Sequence, residues 1–245
     1  MRISRKILAL LVVAGTFGLV YAAEVTLWGN IAPSERYDIV VIDDFEERIP
    51  WNAPSDLPAG SLIRMVKNSP ADGLDGEYPR SDYEKDIELA NASARLRSRR
   101  VVGGVKHSQE IQVMIQSPGY DQLILRPPEF RSQPISGMPL AVSLWVYGYG
   151  KRHVLYALLK NPGGKEMALR LGELKFRGWQ RLEIPLKPWM QKKKPFDPWQ
   201  FSFTGLKFVS HPSEDPGLYL LRIDLLQVLV DHGAEYPGSQ IKDEF

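Results

Sequence analysis

Cysteine is absent from the 245 residues, which excludes thiol nucleophiles and disulfide staples together. Histidine is scarce. His107, His153, His211 and His232 are not spaced for a His-Glu-x-x-His zinc site, and each reads as a surface or hydrogen-bonded polar residue. No Gly-x-Ser-x-Gly elbow offers a serine nucleophile. Gly103-Gly104 and Gly163-Gly164 lack the lysine and hydroxyl of a phosphate loop. No paired general acid and base stands at recognisable spacing, so an enzyme is disfavoured and no cofactor is expected. After residue 20 no apolar run is long enough to cross a bilayer, which takes about 20 residues.

What is present begins with the N-terminus. Arg2, Arg5 and Lys6 precede an apolar run from Ile7 to Val20, and Val20-Tyr21-Ala22 then sets small residues at the −3 and −1 positions. That order is the one of a secretory signal peptide cleaved after Ala22. Its removal leaves 28 basic against 29 acidic residues. The mature chain then has no basic excess to suggest nucleic acid, and no membrane anchor. Without disulfides, an exported chain must rest on a core, and 223 residues supply one.

Short alternating runs fill the rest. Ile111, Val113 and Ile115 form one; Met167, Leu169 and Leu171 another; Leu182, Ile184 and Leu186 a third. Leu140, Val142, Leu144 and Val146 share one strand face, with Ala141, Ser143, Trp145 and Tyr147 on the other. Tyr219, Leu221, Ile223 and Leu225 alternate near the end. A period of two means strands with a face toward a core. Pro118-Gly119, Asn161 to Gly164, Arg177-Gly178 and Asp215 to Gly217 mark turns between them. The pattern predicts an all-β sandwich over 23–232, with long loops near 51–80 and 187–201 and a tail over 233–245. One short helix is expected: Ser81-x-x-Glu84 has capping-box spacing, and Tyr83, Ile87, Ala90 and Ala94 follow at helical period.

Two groups of side chains invite a functional reading. Asp43, Asp44 and Glu46 end the first strand and Asp224 lies in the last, so neighbouring strands would let them share a structural calcium ion. The competing and favoured reading has these acids facing water or capping turns, since no loop of calcium spacing accompanies them. Trp189 and Trp199 flank Lys192, Lys193 and Lys194 in a proline-rich stretch. That stretch is either a solvated basic loop or a contact patch, because tryptophan is enriched at interface centres. Trp145, in a strand apolar on both faces, is expected in the core rather than on a sugar platform.

Two families share these motifs. Asp43-Asp44-Phe45-Glu46, the strand Ser143 to Gly148, the step Gly178-Trp179-Gln180-Arg181-Leu182 with Ile184-Pro185-Leu186, and Leu221-Arg222-Ile223-Asp224-Leu225 resemble jelly-roll, galactose-binding-like carbohydrate-binding modules. The same opening, the strand Leu144 to Gly150, the Gly178-Trp179 step and the signal peptide resemble more closely the FlaA family, the outer-layer sheath proteins of spirochaete periplasmic flagella. That resemblance implies a periplasmic structural protein that coats a flagellin core beside other sheath proteins and carries no catalytic residues. A secreted carbohydrate-binding module is the alternative. It predicts coplanar aromatics on one exposed face, whereas a sheath subunit needs apolar and mixed-charge patches on several sides. The N-terminal pattern is tested by intact mass: the native protein is expected to begin at Ala23, and a mass retaining residues 1–22 overturns the cleavage.

Overall fold

The computed structural model describes residues 33–46, 51–53, 61–72, 80–96, 98, 102–103, 106–128, 133–187 and 200–233. The expected signal segment, the stretch 188–199 and the tail after Gly233 lie outside the described residues.

Eleven strands, in two sheets, are described. β1 (Tyr37–Asp43), β2 (Leu62–Val66), β3 (Ser108–Ile115), β6 (Met138–Tyr149), β9 (Arg177–Pro185) and β11 (Gly217–Asp231) form one sheet in the order β2-β3-β11-β6-β9, with β1 also on β11. The second runs β4 (Gln122–Leu125), β10 (Phe201–Val209), β7 (Val154–Lys160), β8 (Glu166–Glu173), with β5 (Gln133–Ile135) also on β10. Every described pairing is antiparallel. The expected all-β sandwich is the observed fold. β2 is a departure, standing inside the stretch 51–80 where composition predicts loop. Its Ile63 and Met65 pack on the core, but five residues between Pro/Gly-rich flanks are too few for a period to register.

Alternation delivers the core. Ile111, Val113 and Ile115 of β3, Val142, Leu144 and Val146 of β6, and Tyr219, Leu221 and Ile223 of β11 meet Leu155, Ala157 and Leu159 of β7 and Phe203, Leu206 and Phe208 of β10. Two bulges correct the expected faces. On β11, Asp224 opposes Trp145 and Gln227 opposes Ser143, so Leu225 and Leu226 together face Leu144. Leu226 stays in the core between the sheets, while Leu225, at φ 41°, turns to the opposite face. On β6 the register slips at Leu140, which then packs on the same side as Ala141 instead of with Val142.

The opposite face of the first sheet carries α1 (Arg80–Leu96). Tyr83, Ala90 and Ala94 are buried there, with Ile87 beside them, against Ile39, Ala141, Trp145, Trp179, Leu225 and Leu229. This is the face picked out by the helical period. Ser81 falls within the first turn rather than before it, since the helix starts at Arg80. Polar groups are paired beneath the helix. Trp145 Nε1 donates to Asp86 at 2.8 Å and Arg181 Nη1 donates to the other oxygen at 2.7 Å. Tyr83 donates its hydroxyl to Asp224 at 2.9 Å, and its ring meets Trp145 edge-on at 5.3 Å. Ser93 donates to Asp38 while accepting from the Ile39 amide. Burial pushes the Asp86 carboxyl up to about 6, against the opposing pull of Arg181 and the Trp145 indole. Asp224, wholly buried, is raised well above the carboxylate range for the same reason, and Tyr83 hydrogen-bonds to it.

Trp145 is buried, as its strand pattern predicts. Trp145→Ala is expected to cost about 3–5 kcal/mol in urea unfolding, from the cavity and the lost donor to Asp86. An unchanged melting temperature overturns that role. Asp86 has the opposite sign from an ordinary surface carboxylate. The folded chain holds its proton up to about 6 while the unfolded chain releases it near the ordinary aspartate value, so ionisation weakens the fold as pH rises between. The melting temperature of Asp86→Asn relative to wild type is therefore expected to climb from pH 4 to 7. A flat or falling difference refutes the account.

Candidate assembly surface

The first and last strands pair, as the calcium reading requires, with Asp43 opposite Leu226. The acids nevertheless serve the backbone. Asp43 accepts from the Phe45 amide at 2.7 Å and from Trp51 Nε1 at 2.6 Å. Asp44 accepts from the Glu46 and Gly103 amides. Glu46 takes the Lys106 and His107 amides on one oxygen and lies 3.1 Å from His107 Nδ1 with the other. These bonds fasten the segment leading into β3 to the end of β1. Asp44 and Glu46 lie near enough to Asp224 for their charge to raise it further. Among the described residues, no three metal-ligating side chains gather in one place.

The described tryptophans are likewise internal. Trp51 packs between Phe45 and Phe203, with ring centroids 5.5 and 5.8 Å away. Trp145 and Trp179 lie under the helix. Trp189, Lys192, Lys193, Lys194 and Trp199 are outside the described residues. Tyr120 is exposed on a turn, apart from any strand face.

The helix covers only part of the first sheet's outer face, and a row that sequence reading missed runs from its covered side at Trp179 out to Arg64. Arg64 of β2, Glu110 of β3, Arg222 of β11, Tyr147 of β6 and Trp179 of β9 stand side by side across five strands. Glu110 has 3% of its side chain exposed, yet it is fully engaged. Arg64 donates Nε and Nη2 to one oxygen, Gln112 reaches the same oxygen, and Arg222 Nε takes the other at 2.9 Å. Burial alone would raise this carboxyl, but these donors outweigh it and leave it below the usual range. The Arg222 guanidinium lies 5.6 Å from the Tyr147 ring centroid, and Tyr149 lies beside Tyr147. One row further from the helix the face turns apolar: Leu62, Leu218, Leu220 and Met114 are exposed or half-buried. The alternation of Leu218, Leu220 and Arg222 is visible in the sequence. Their alignment with Leu62 and Glu110 depends on register, which is not.

The second sheet's outer face is mixed in charge. Ile124, Lys207, Tyr156 and Arg170 form one row, and Ser202, Lys160 and Glu166 another. Arg126 pairs with Glu166 at 2.7 Å, and Thr204 donates to that carboxylate at 2.6 Å. Arg170 pairs with Glu173 at 2.8 Å. The described surface thus offers an apolar patch on one side and a charged, self-paired face on the other, with no tryptophan on either.

Comparison with known proteins gives similar solved structures and a family model that matches part of the chain. No curated protein matches the chain. Among solved structures it is similar to the family 11 carbohydrate-binding module of the cellulase Lic26A-Cel5E of Clostridium thermocellum, at 12% identity and TM-score 0.39, covering 82% of this chain and 96% of that one. It is also similar to the CBM22-2 xylan-binding domain of Paenibacillus barcinonensis Xyn10C, at 13% identity and TM-score 0.33, covering 74% and 91%. Likenesses at that level carry no ligand across. Residues 137–234, which run from the turn before β6 to just past the end of β11, match the model of the family described as flagellar filament outer layer protein FlaA.

Proposed function

We propose that this protein is a non-enzymatic structural subunit of the outer layer of a periplasmic flagellar filament, coating the flagellin core beside other sheath subunits. The family match over β6–β11 carries the reading. The signal-like N-terminus supports export to the periplasm. The described surface also suits a subunit with several neighbours, being apolar on one sheet and charged on the other. Subunits on a helical core meet through heterologous contacts, which propagate instead of closing. Each contact can be weak, because repetition along the filament multiplies them. The Trp189 to Trp199 segment, with Lys192, Lys193 and Lys194, remains a proposed contact in this reading.

The alternative, a carbohydrate-binding module, finds less support. Trp51, Trp145 and Trp179 are buried, and the neighbouring Tyr147 and Tyr149 rings are inclined at 58°, so they offer no coplanar platform. The protein is expected to co-purify with intact filaments, and its deletion to change filament diameter or curvature and with it swimming. Filaments that lack the protein, or unchanged filament shape and motility after deletion, count against the sheath role.

A further inference from the structure

α1 leaves the β2 side of the first sheet's outer face open. Leu218 is 54% exposed there and Leu62 43%. Leu218 pairs with Met114, while Gln112 pairs with both Leu62 and Leu220. The four apolar side chains therefore surround Gln112 across β2, β3 and β11. Such side chains gain by leaving water, in proportion to the area covered.

One border of this patch is cationic. Arg64 and Arg222 share the single carboxylate of Glu110, so one positive charge is left over. Arg222 commits only Nε to Glu110, and Arg64 commits Nε and Nη2. Among the described residues, both Arg222 terminal nitrogens and Arg64 Nη1 keep their hydrogens available. Arg64 is 52% exposed in its side chain and Arg222 20%, so a partner can reach them. Guanidinium N–H groups are matched geometrically by a carboxylate. Branched aliphatic side chains, in contrast, give a sugar ring no flat face to stack on.

We propose that this surface docks a neighbouring protein subunit. The partner sets an aliphatic side chain among Leu62, Met114, Leu218 and Leu220 and a carboxylate against Arg222 and Arg64. The proposal rests on the filament reading given above, and supplies one of the contacts that reading needs. Strand β2 lies at the rim of the patch and is an edge strand among the described residues, so the same partner also meets that edge.

The test compares filaments isolated from cells that make the full chain as wild type, Leu218→Glu, Leu218→Ser or Lys207→Glu. Lys207 lies on the opposite sheet and serves as the control. Leu218 is exposed, so its variants are expected to melt as wild type does; the serine variant is the milder one should glutamate disturb the strand. Glutamate at this position removes an apolar contact and sets a charge where the partner's aliphatic side chain would have to leave water. The filament-bound fraction is expected to fall about tenfold for Leu218→Glu, less for Leu218→Ser, and not for Lys207→Glu. Wild type and both Leu218 variants bound equally would overturn the docking site alone. Wild type absent from filaments would overturn the sheath role and this contact together. Retardation of wild type but not Leu218→Glu in a gel holding soluble β-glucan would also overturn it, by making the patch a sugar site.

Discussion

β11 hydrogen-bonds to three strands at once: β3 along its first half, β1 along its second, and β6 along most of its other edge. A strand so placed cannot shift by one residue without turning every side chain to the wrong face. Yet it must serve two cores, one between the sheets and one under α1. The bulge at Leu225 reconciles these demands. It lets Ile223 and Leu226 both enter the inter-sheet core, while Asp224 and Leu225 both face the helix. A non-glycine residue in the left-handed region costs about 1–2 kcal/mol. Burying a leucine side chain returns about 1.5–3 kcal/mol, so the strained geometry is held by what it packs.

The bulge also puts a carboxylate where none is easily kept. Asp224 is wholly buried, and its ionised form is disfavoured there. Two donors, the Tyr83 hydroxyl and the Leu225 amide, meet it. Asp86, approaching from the helix, meets the Trp145 indole and Arg181. The helix is therefore located by directional bonds as well as by apolar contact. Apolar burial alone would tolerate sliding along the sheet, whereas a tyrosine, a tryptophan and an arginine that must each reach a particular oxygen do not. Such paired buried groups contribute modestly when intact but cost much when one partner is removed. This explains how a chain without disulfides keeps a helix in register on a sheet.

Much of this architecture was legible in the sequence. Alternation found β3, β6, β8, β9 and β11, and the helical period found the buried face of α1, because both signals are local. Strands β4, β5, β7 and β10 were not, and neither were three further features. β2 is too short to show a period. The bulge at Leu225 carries no glycine or proline to mark it, and the one at Leu140 follows Pro139, which by itself does not specify a bulge; together they moved two leucines from one core to the other. The row Arg64–Glu110–Arg222–Tyr147 joins residues up to 158 positions apart, and only strand order and register bring them together. The acids of the first strand show a related limit. Their nearness to Asp224 was readable from the possibility of paired terminal strands, but their use as acceptors for the Phe45, Gly103, Lys106 and His107 amides depends on a loop path that residue types do not specify.

The same dependence on register separates the two faces as surfaces for assembly. On the second sheet, Arg126 with Glu166 and Arg170 with Glu173 satisfy charge within the subunit, and exposed pairs of this kind add little to stability. Their effect is to keep that face hydrated and resistant to indiscriminate sticking. On the first sheet, charge is gathered instead around one buried glutamate, with the cations outnumbering it and aliphatic side chains alongside. A charge that is already paired within the subunit has little to gain from a neighbour, whereas surplus donors beside dry surface gain on both counts. The sandwich is thus polarised: α1 closes one part of a sheet, and the part it leaves open is the one whose chemistry calls for a partner.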